Sequence, residues 1–175
     1  MEYTGYHGTH RDAADSICRD EKIEFSSSDT EWLGTGAYFF VNKEDAEWWC
    51  QTRRYGEKSI VTVDLVFEEY IDLIHRYSDQ YVFSAVCKIV KAKLLKRQKY
   101  YSKKNLMAVA LKKLILQIES KKGTKVQAIL AQFIENRSFF NSFDTKDLQR
   151  FNCVIAQTQI CIRSRDCIKN YRIEE

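Results

Sequence analysis

Short runs of strand-forming residues stand at both ends of this chain, with a long helical middle between them, and that order constrains the fold more than any other feature. Residues 3–6, 37–41 and 59–67 alternate apolar and polar positions or are dense in β-branched and aromatic side chains, as half-buried strands are. Residues 153–156 and 159–163 return to the same character. From about residue 78 to 137 the period changes: Leu106, Val109, Ala110, Leu114 and Ile118 recur at helical spacing, as do Val126, Ile129, Leu130, Phe133 and Ile134, with Gly123 between the two sets. Shorter helical patterns occupy residues 11–19 and 44–52, the second with Asn42 as its N-cap. A strand cannot bury a face by itself, so the two ends of the chain must meet in space. The expectation is an α+β domain spanning residues 1–175, with a helical insertion at about 78–137. A length of 175 residues suits one core and leaves little room for a second.

Charge is distributed unevenly. Between Gln80 and Ile118 there is no Asp or Glu, while Lys88, Lys91, Lys93, Lys96, Arg97, Lys99, Lys103, Lys104, Lys112 and Lys113 are all basic. The net charge is only +4, so the rest of the chain is acidic overall. A basic segment on an acidic body is the footprint expected for a polyanionic partner. No apolar run approaches the ~20 residues a membrane span needs, and Met1-Glu2-Tyr3-Thr4-Gly5 has neither the basic nor the apolar region of a signal peptide. These features set the expectation of a cytoplasmic protein that does not engage a membrane. The six cysteines are scattered through apolar segments without paired spacing, which suits free thiols in a reducing compartment and no metal site.

Three segments carry residues suited to chemistry. In Tyr6-His7-Gly8-Thr9 an imidazole sits beside a glycine, which lets a backbone approach a ligand while the ring hydrogen-bonds it. In Trp32-Leu33-Gly34-Thr35-Gly36-Ala37-Tyr38-Phe39-Phe40, two glycines permit unusual backbone dihedrals, and Tyr38, with Trp48 and Trp49 close behind, offers flat aromatic surface. Flat rings suit a planar, positively charged heterocycle. The third segment is Gln157-Thr158-Gln159-Ile160-Cys161-Ile162-Arg163. Taken singly, each is equally consistent with ordinary structure: a histidine satisfied in a loop, an aromatic core strand after a tight turn, a glutamine in a strand.

Together, and in this order, the segments resemble the PARP-like branch of the ADP-ribosyltransferases. That family has a His-Gly-Ser/Thr strand, a Gly-x-Gly-x-Tyr-Phe segment leading into a helix, and an acidic or amide residue on a late strand. Its H-Y-E triad corresponds here to His7, Tyr38 and Gln159 as catalytic residues. Gln157 competes for the third position; Gln159 is chosen because the family residue immediately precedes an apolar run. The resemblance implies a fold of two packed, mainly antiparallel sheets with NAD⁺ in the cleft between them, and no metal. It implies cofactor contacts from His7, Gly8, Thr9, Gly36, Tyr38, Trp48 and Trp49. Gly8 would hold the nicotinamide carboxamide, His7 a ribose hydroxyl of the adenosine half, and Gln159 the 2′-hydroxyl of the nicotinamide ribose. Tyr38 would stack on the nicotinamide, with Trp48 or Trp49 across from it. An amide where the family has glutamate points to single transfer rather than chain elongation. Asp144, Asp147 and Glu119 could each serve as the base for the acceptor, and nothing in their spacing singles one out.

The acceptor is expected to be nucleic acid. Lys88, Lys91, Lys93, Lys96, Arg97, Lys99, Lys103 and Lys104, interleaved with Tyr100 and Tyr101, join phosphate neutralisation to base stacking, which is how single strands are gripped. A solvated helical face or a surface for an acidic protein fits the same run. Small single-domain proteins of this pattern resemble the CmdT-like toxins of phage-defence toxin–antitoxin systems, which modify messenger RNA. The expected partners are therefore single-stranded RNA and a neutralising antitoxin.

Overall fold

A computed structural model describes residues 1–26, 31–53, 56–96, 103–134 and 156–174, and these form seven strands and four α-helices, with one 3-10 turn at Arg165–Cys167. In chain order they are β1 (Glu2–His10), α1 (Arg11–Asp20), β2 (Ala37–Phe40), α2 (Lys43–Thr52), β3 (Lys58–Val66), β4 (Tyr70–Asp72), α3 (Tyr77–Lys96), α4 (Lys103–Lys122), β5 (Ala128–Ile134), β6 (Ala156–Ile162) and β7 (Ile168–Glu174). The fold class is α+β. Rather than two separate sheets, hydrogen bonding links the strands into one, in the order β4-β5-β6-β2-β1-β3-β7. Only β4–β5 is parallel among the paired strands. The sheet is nevertheless almost divided at its middle. β1 matches β3 along its whole length, Glu2 to His10, but meets β2 at the single pair Tyr6↔Phe40. Two half-sheets share one narrow seam.

Each face of the sheet has its own cover. Phe39, Val61, Val63, Leu65, Ala128, Leu130, Ile160 and Ile162 point to one side, where Ala14 of α1 joins them. Ile129, Ala131 and Cys161 point to the other, under Val86 and Val90 of α3 and Ala110, Leu111, Leu114 and Ile115 of α4. Each fully buried Leu or Ile contributes about 1.5–3 kcal/mol through removal from water. On this second face a smaller cluster of Phe40, Ala46 and Ile60, with Trp49 against it, seats α2. The second face therefore has two covers, α3–α4 and α2, with a gap between them over β2 and the seam.

Residues 126–134 do not continue the helix that their spacing suggested. Ala128–Ile134 is β5, and the helical stretch ends with α4 at Lys122. The cause is burial on both faces: Ala128 and Leu130 enter one core, Ile129 and Ala131 the other. A strand that is apolar on both sides loses its alternation and cannot be told from a buried helix by period alone. β7, a polar edge strand with several exposed residues, carries no apolar pattern and was likewise not legible. Asn42 does occupy the N-cap of α2, but its side chain makes no capping bond; its backbone carbonyl accepts the Asp45 N–H at 3.2 Å. Residues 153–155 and 135–137 lie outside the described residues.

Candidate functional site

The gap over β2 is a cleft of about 330 Å³, bordered by His7, Gly8, Ser26, Glu31, Trp32, Tyr38, Phe40, Trp49, Arg53 and Gln159. That volume falls within the range of small-molecule sites. It exists because β1 and β2 part. Val41 N–H bonds Thr158 on the β6 side, so by the alternation of strand groups the Tyr38 carbonyl faces β1. There it meets the His7 imidazole: Nδ1 lies 2.9 Å from the Tyr38 oxygen. A carbonyl only accepts, so Nδ1 carries the proton and donates it. The ring thus caps a strand carbonyl at the seam, packs edge-on to Phe39 at 5.9 Å, and leaves Nε2 with a free lone pair. Burial holds the His7 pKa below its usual value, only partly offset by the bond to Tyr38. His7 is therefore a neutral imidazole offering one acceptor, suited to a sugar hydroxyl.

Tyr38 and Phe40 share a face of β2 and form the cleft wall. The Tyr38 hydroxyl donates to Gly34 O at 2.7 Å and accepts Leu33 N–H at 3.2 Å. Burial, and then the neighbouring Cys161 and Glu31, push its pKa up, so the phenol stays neutral and structural while the ring face is available for stacking. Trp49 packs on Phe40 at 6.3 Å, and the Arg53 guanidinium lies 4.3 Å over the Trp49 ring. Gln159 sits opposite Phe40 in the β2–β6 register. Its Oε1 accepts the Trp32 indole N–H at 3.1 Å. An indole can only donate, which assigns the oxygen to that contact. Gln159 therefore turns its amide N–H groups, rather than its carbonyl, toward other partners.

Of the residues expected to contact a cofactor, the cleft brings together His7, Gly8, Tyr38, Trp49 and Gln159, and not Thr9, Gly36 or Trp48. Trp48 and Trp49 are neighbours on α2, roughly 100° apart around the helix, so one cleft cannot take both. Gly36 is small for a different reason: a Cβ there would meet Ile162 O at 2.5 Å and Cys161 Sγ at 2.6 Å, so it lets its turn close on β6. Of the two glycines around Thr35, Gly34 is the one with positive φ, 83°. Gly8 is also required by packing, since a Cβ would meet Ala46 O at 2.5 Å and Cys50 Sγ at 2.6 Å. Gln157 is fully buried outside the cleft lining, and among the described residues neither atom of its amide has a partner.

Ser26, Glu31, Trp32, Phe40 and Arg53 also border the cleft; Trp32 and Phe40 stood in the second segment without a role assigned, and the other three were not singled out from sequence. Phe40 and Arg53 had a signal, lying two positions from Tyr38 along a strand and four from Trp49 along a helix. Glu31 and Trp32 had none beyond standing next to the glycine turn. The candidate base Glu119 is elsewhere: it accepts Val126 N–H at 3.1 Å and pairs with Arg163 at 3.4 Å. Although burial opposes it, that bond and the nearby cations keep its carboxyl below the usual range. Asp144 and Asp147 lie outside the described residues.

A larger groove of about 500 Å³ runs between α4 and the Leu33–Gly34–Thr35 turn. Glu119 and Arg163 of its lining pair with one another and Lys112 is its remaining charge, so the smaller cleft, with an imidazole, aromatic faces, an amide, a carboxylate and a guanidinium, has the richer chemistry. Lys88, Lys91, Lys93 and Lys96 are exposed on α3. Lys103 and Lys104 open α4, and Arg97, Lys99, Tyr100 and Tyr101 lie outside the described residues. Cys18, Cys50, Cys87, Cys161 and Cys167 are free thiols, and burial pushes Cys161 up to about 12. Among the described residues no helix is long and apolar enough to cross a membrane, and no cluster of His, Cys, Asp and Glu could hold a metal ion. No family model, no curated protein and no solved structure matches the chain.

Proposed function

We propose that the protein is an NAD⁺-dependent mono-ADP-ribosyltransferase of the PARP-like type that modifies single-stranded RNA and acts as a toxin restrained by an antitoxin. One observation carries this reading: His7, Tyr38 and Gln159, with Gly8 and Trp49, come from distant parts of the chain to border one cleft. A dinucleotide with a flat cationic ring at one end and a pyrophosphate in the middle matches that border. Tyr38 offers a stacking face, His7 Nε2 accepts from a ribose hydroxyl, and Arg53 supplies a positive charge for phosphate. The Gln159 amide N–H groups would donate to a nicotinamide-ribose hydroxyl oxygen.

The reaction cleaves the bond between ribose C1′ and the nicotinamide nitrogen. Nicotinamide leaves neutral and needs no proton, while the ribose passes through an oxocarbenium-like state. The chain's own contribution is to hold the ring and sugar in register and to leave C1′ open to the acceptor. Helix α3, whose lysines are exposed, packs through Val86 and Val90 in the core that holds Ile71 of β4 and Ile129 and Ala131 of β5, whereas the cleft lies over β6, β2 and β1. A ligand engaging both must be extended and polyanionic, which favours a nucleic acid strand over a small acceptor.

The test is incubation of the purified protein with labelled NAD⁺ and RNA, single-stranded DNA or lysate protein in turn. Label on RNA, absent with His7→Ala, is the expected result. Label on protein alone would keep the transferase and discard the RNA acceptor. NAD⁺ binding without nicotinamide release would replace the enzyme by a silent NAD⁺ binder, and no binding at all would remove the reading.

A further inference from the structure

If the cleft is a transferase site, His7, Tyr38 and Gln159 bring no carboxylate to it, and His7 Nε2 is assigned to a ribose hydroxyl, so the charge on the ribose and the acceptor's proton need another group. Gln159 meets neither need: an amide is not a base at any ordinary pH, and its carbonyl already receives the Trp32 indole N–H at 3.1 Å. His7 Nδ1 is committed to Tyr38 at 2.9 Å. Among the described residues the cleft border contains one carboxylate, Glu31. Among the described residues no hydrogen bond or ion pair engages its side chain, although a half-buried carboxylate ordinarily finds a partner. The nearest cation of the same border, Arg53, is instead laid over Trp49.

The backbone fixes where this carboxylate stands. Glu31 O accepts Gly34 N–H at 3.0 Å, and the Tyr38 hydroxyl bonds Gly34 O and Leu33 N–H of the same turn. Its charge acts on Tyr38 and on Cys161, the cross-strand partner of Tyr38. Glu31 therefore belongs to the Tyr38 end of the cleft, where the scissile bond lies if Tyr38 stacks on nicotinamide. Arg53, laid over Trp49 on α2, belongs to the other end.

We propose that Glu31 is the catalytic carboxylate of this protein, taking the charge and proton duties that an amide at position 159 cannot perform. The proposal rests on the transferase reading above. As the C1′–N bond breaks, both its electrons pass to nicotinamide, and the Glu31 carboxylate opposes the positive charge left on the ribose. A lone pair of the acceptor's amine or hydroxyl then forms the new bond to C1′. The proton released from that amine or hydroxyl passes to Glu31, and from there to water.

Steady-state transfer by Glu31→Gln tests this, with NAD⁺ affinity measured separately by titration and folding by circular dichroism. Removing a general base lowers turnover by about 10²–10⁴-fold. The expected result is a loss in that range in kcat, with NAD⁺ affinity altered less than about tenfold and partial recovery in Glu31→Asp. A Glu31→Gln protein that turns over within about threefold of wild type overturns the role of Glu31 and leaves the transferase reading intact. A wild-type protein that releases no nicotinamide overturns both.

Discussion

Replacing Gly8 by alanine tests whether the cleft is set by the approach of α2 to β1. The new methyl would lie 2.5 Å from Ala46 O and 2.6 Å from Cys50 Sγ, against a comfortable contact of about 3.4 Å, so α2 must retreat by roughly 0.9 Å. Overpacking of this kind costs about 1–3 kcal/mol, and alanine returns about 0.4–1 kcal/mol by restricting the unfolded chain. The mid-range values leave a net destabilisation of about 1.3 kcal/mol, or a fall in Tm of about 3–5 °C for a chain of this size. Because α2 carries Trp49 into the cleft and Arg53 caps its C-terminus, the same retreat should, if the cleft takes NAD⁺ as proposed, weaken that binding by about tenfold or more. Adding Cys50→Ala should recover only part of the loss, since the closer obstacle is the backbone carbonyl of Ala46. Urea denaturation and NAD⁺ titration measure both effects. Stability within about 0.5 kcal/mol of wild type, with unchanged affinity, would refute the claim that backbone contact between α2 and Gly8 shapes the site.

Three further outcomes are expected. Because burial lowers the His7 pKa, the unfolded chain takes up a proton below about pH 6.5 that the folded chain does not. Stability should therefore fall as pH drops from about 6.5 toward the folded pKa, by at most about 1.4 kcal/mol per pH unit from this group, and urea midpoints of His7→Gln should lack that component. Tyr38→Phe keeps the stacking ring but strands Gly34 O and Leu33 N–H, costing about 1–2 kcal/mol; an unchanged melting curve would show that the hydroxyl does not pin the turn. If Lys88, Lys91, Lys93 and Lys96 each neutralise one phosphate of single-stranded RNA, binding should weaken about 50-fold between 50 and 200 mM salt, and neutralising all four by Lys→Gln should flatten that dependence in a filter-binding assay.

What the sequence by itself determined was local. Strand and helix periods place α1, α2, β2 and β3 within a residue or two of their observed bounds, because the helices keep a wet and a dry face and the two strands are dense in β-branched and aromatic residues beside turn residues. His7, Tyr38 and Gln159 stand out through neighbours such as Gly8 and Gly34. Tertiary structure decided the rest. β5 became a strand because both its faces are buried, a condition no local pattern encodes. Gly8 and Gly36 are glycines for packing against α2 and β6, contacts made by residues dozens of positions away. Trp49 rather than Trp48 borders the cleft because the helix turns only one of them inward. Gln159 spends its carbonyl on Trp32, and that contact, invisible in the order of residues, leaves Glu31 as the carboxylate of the site.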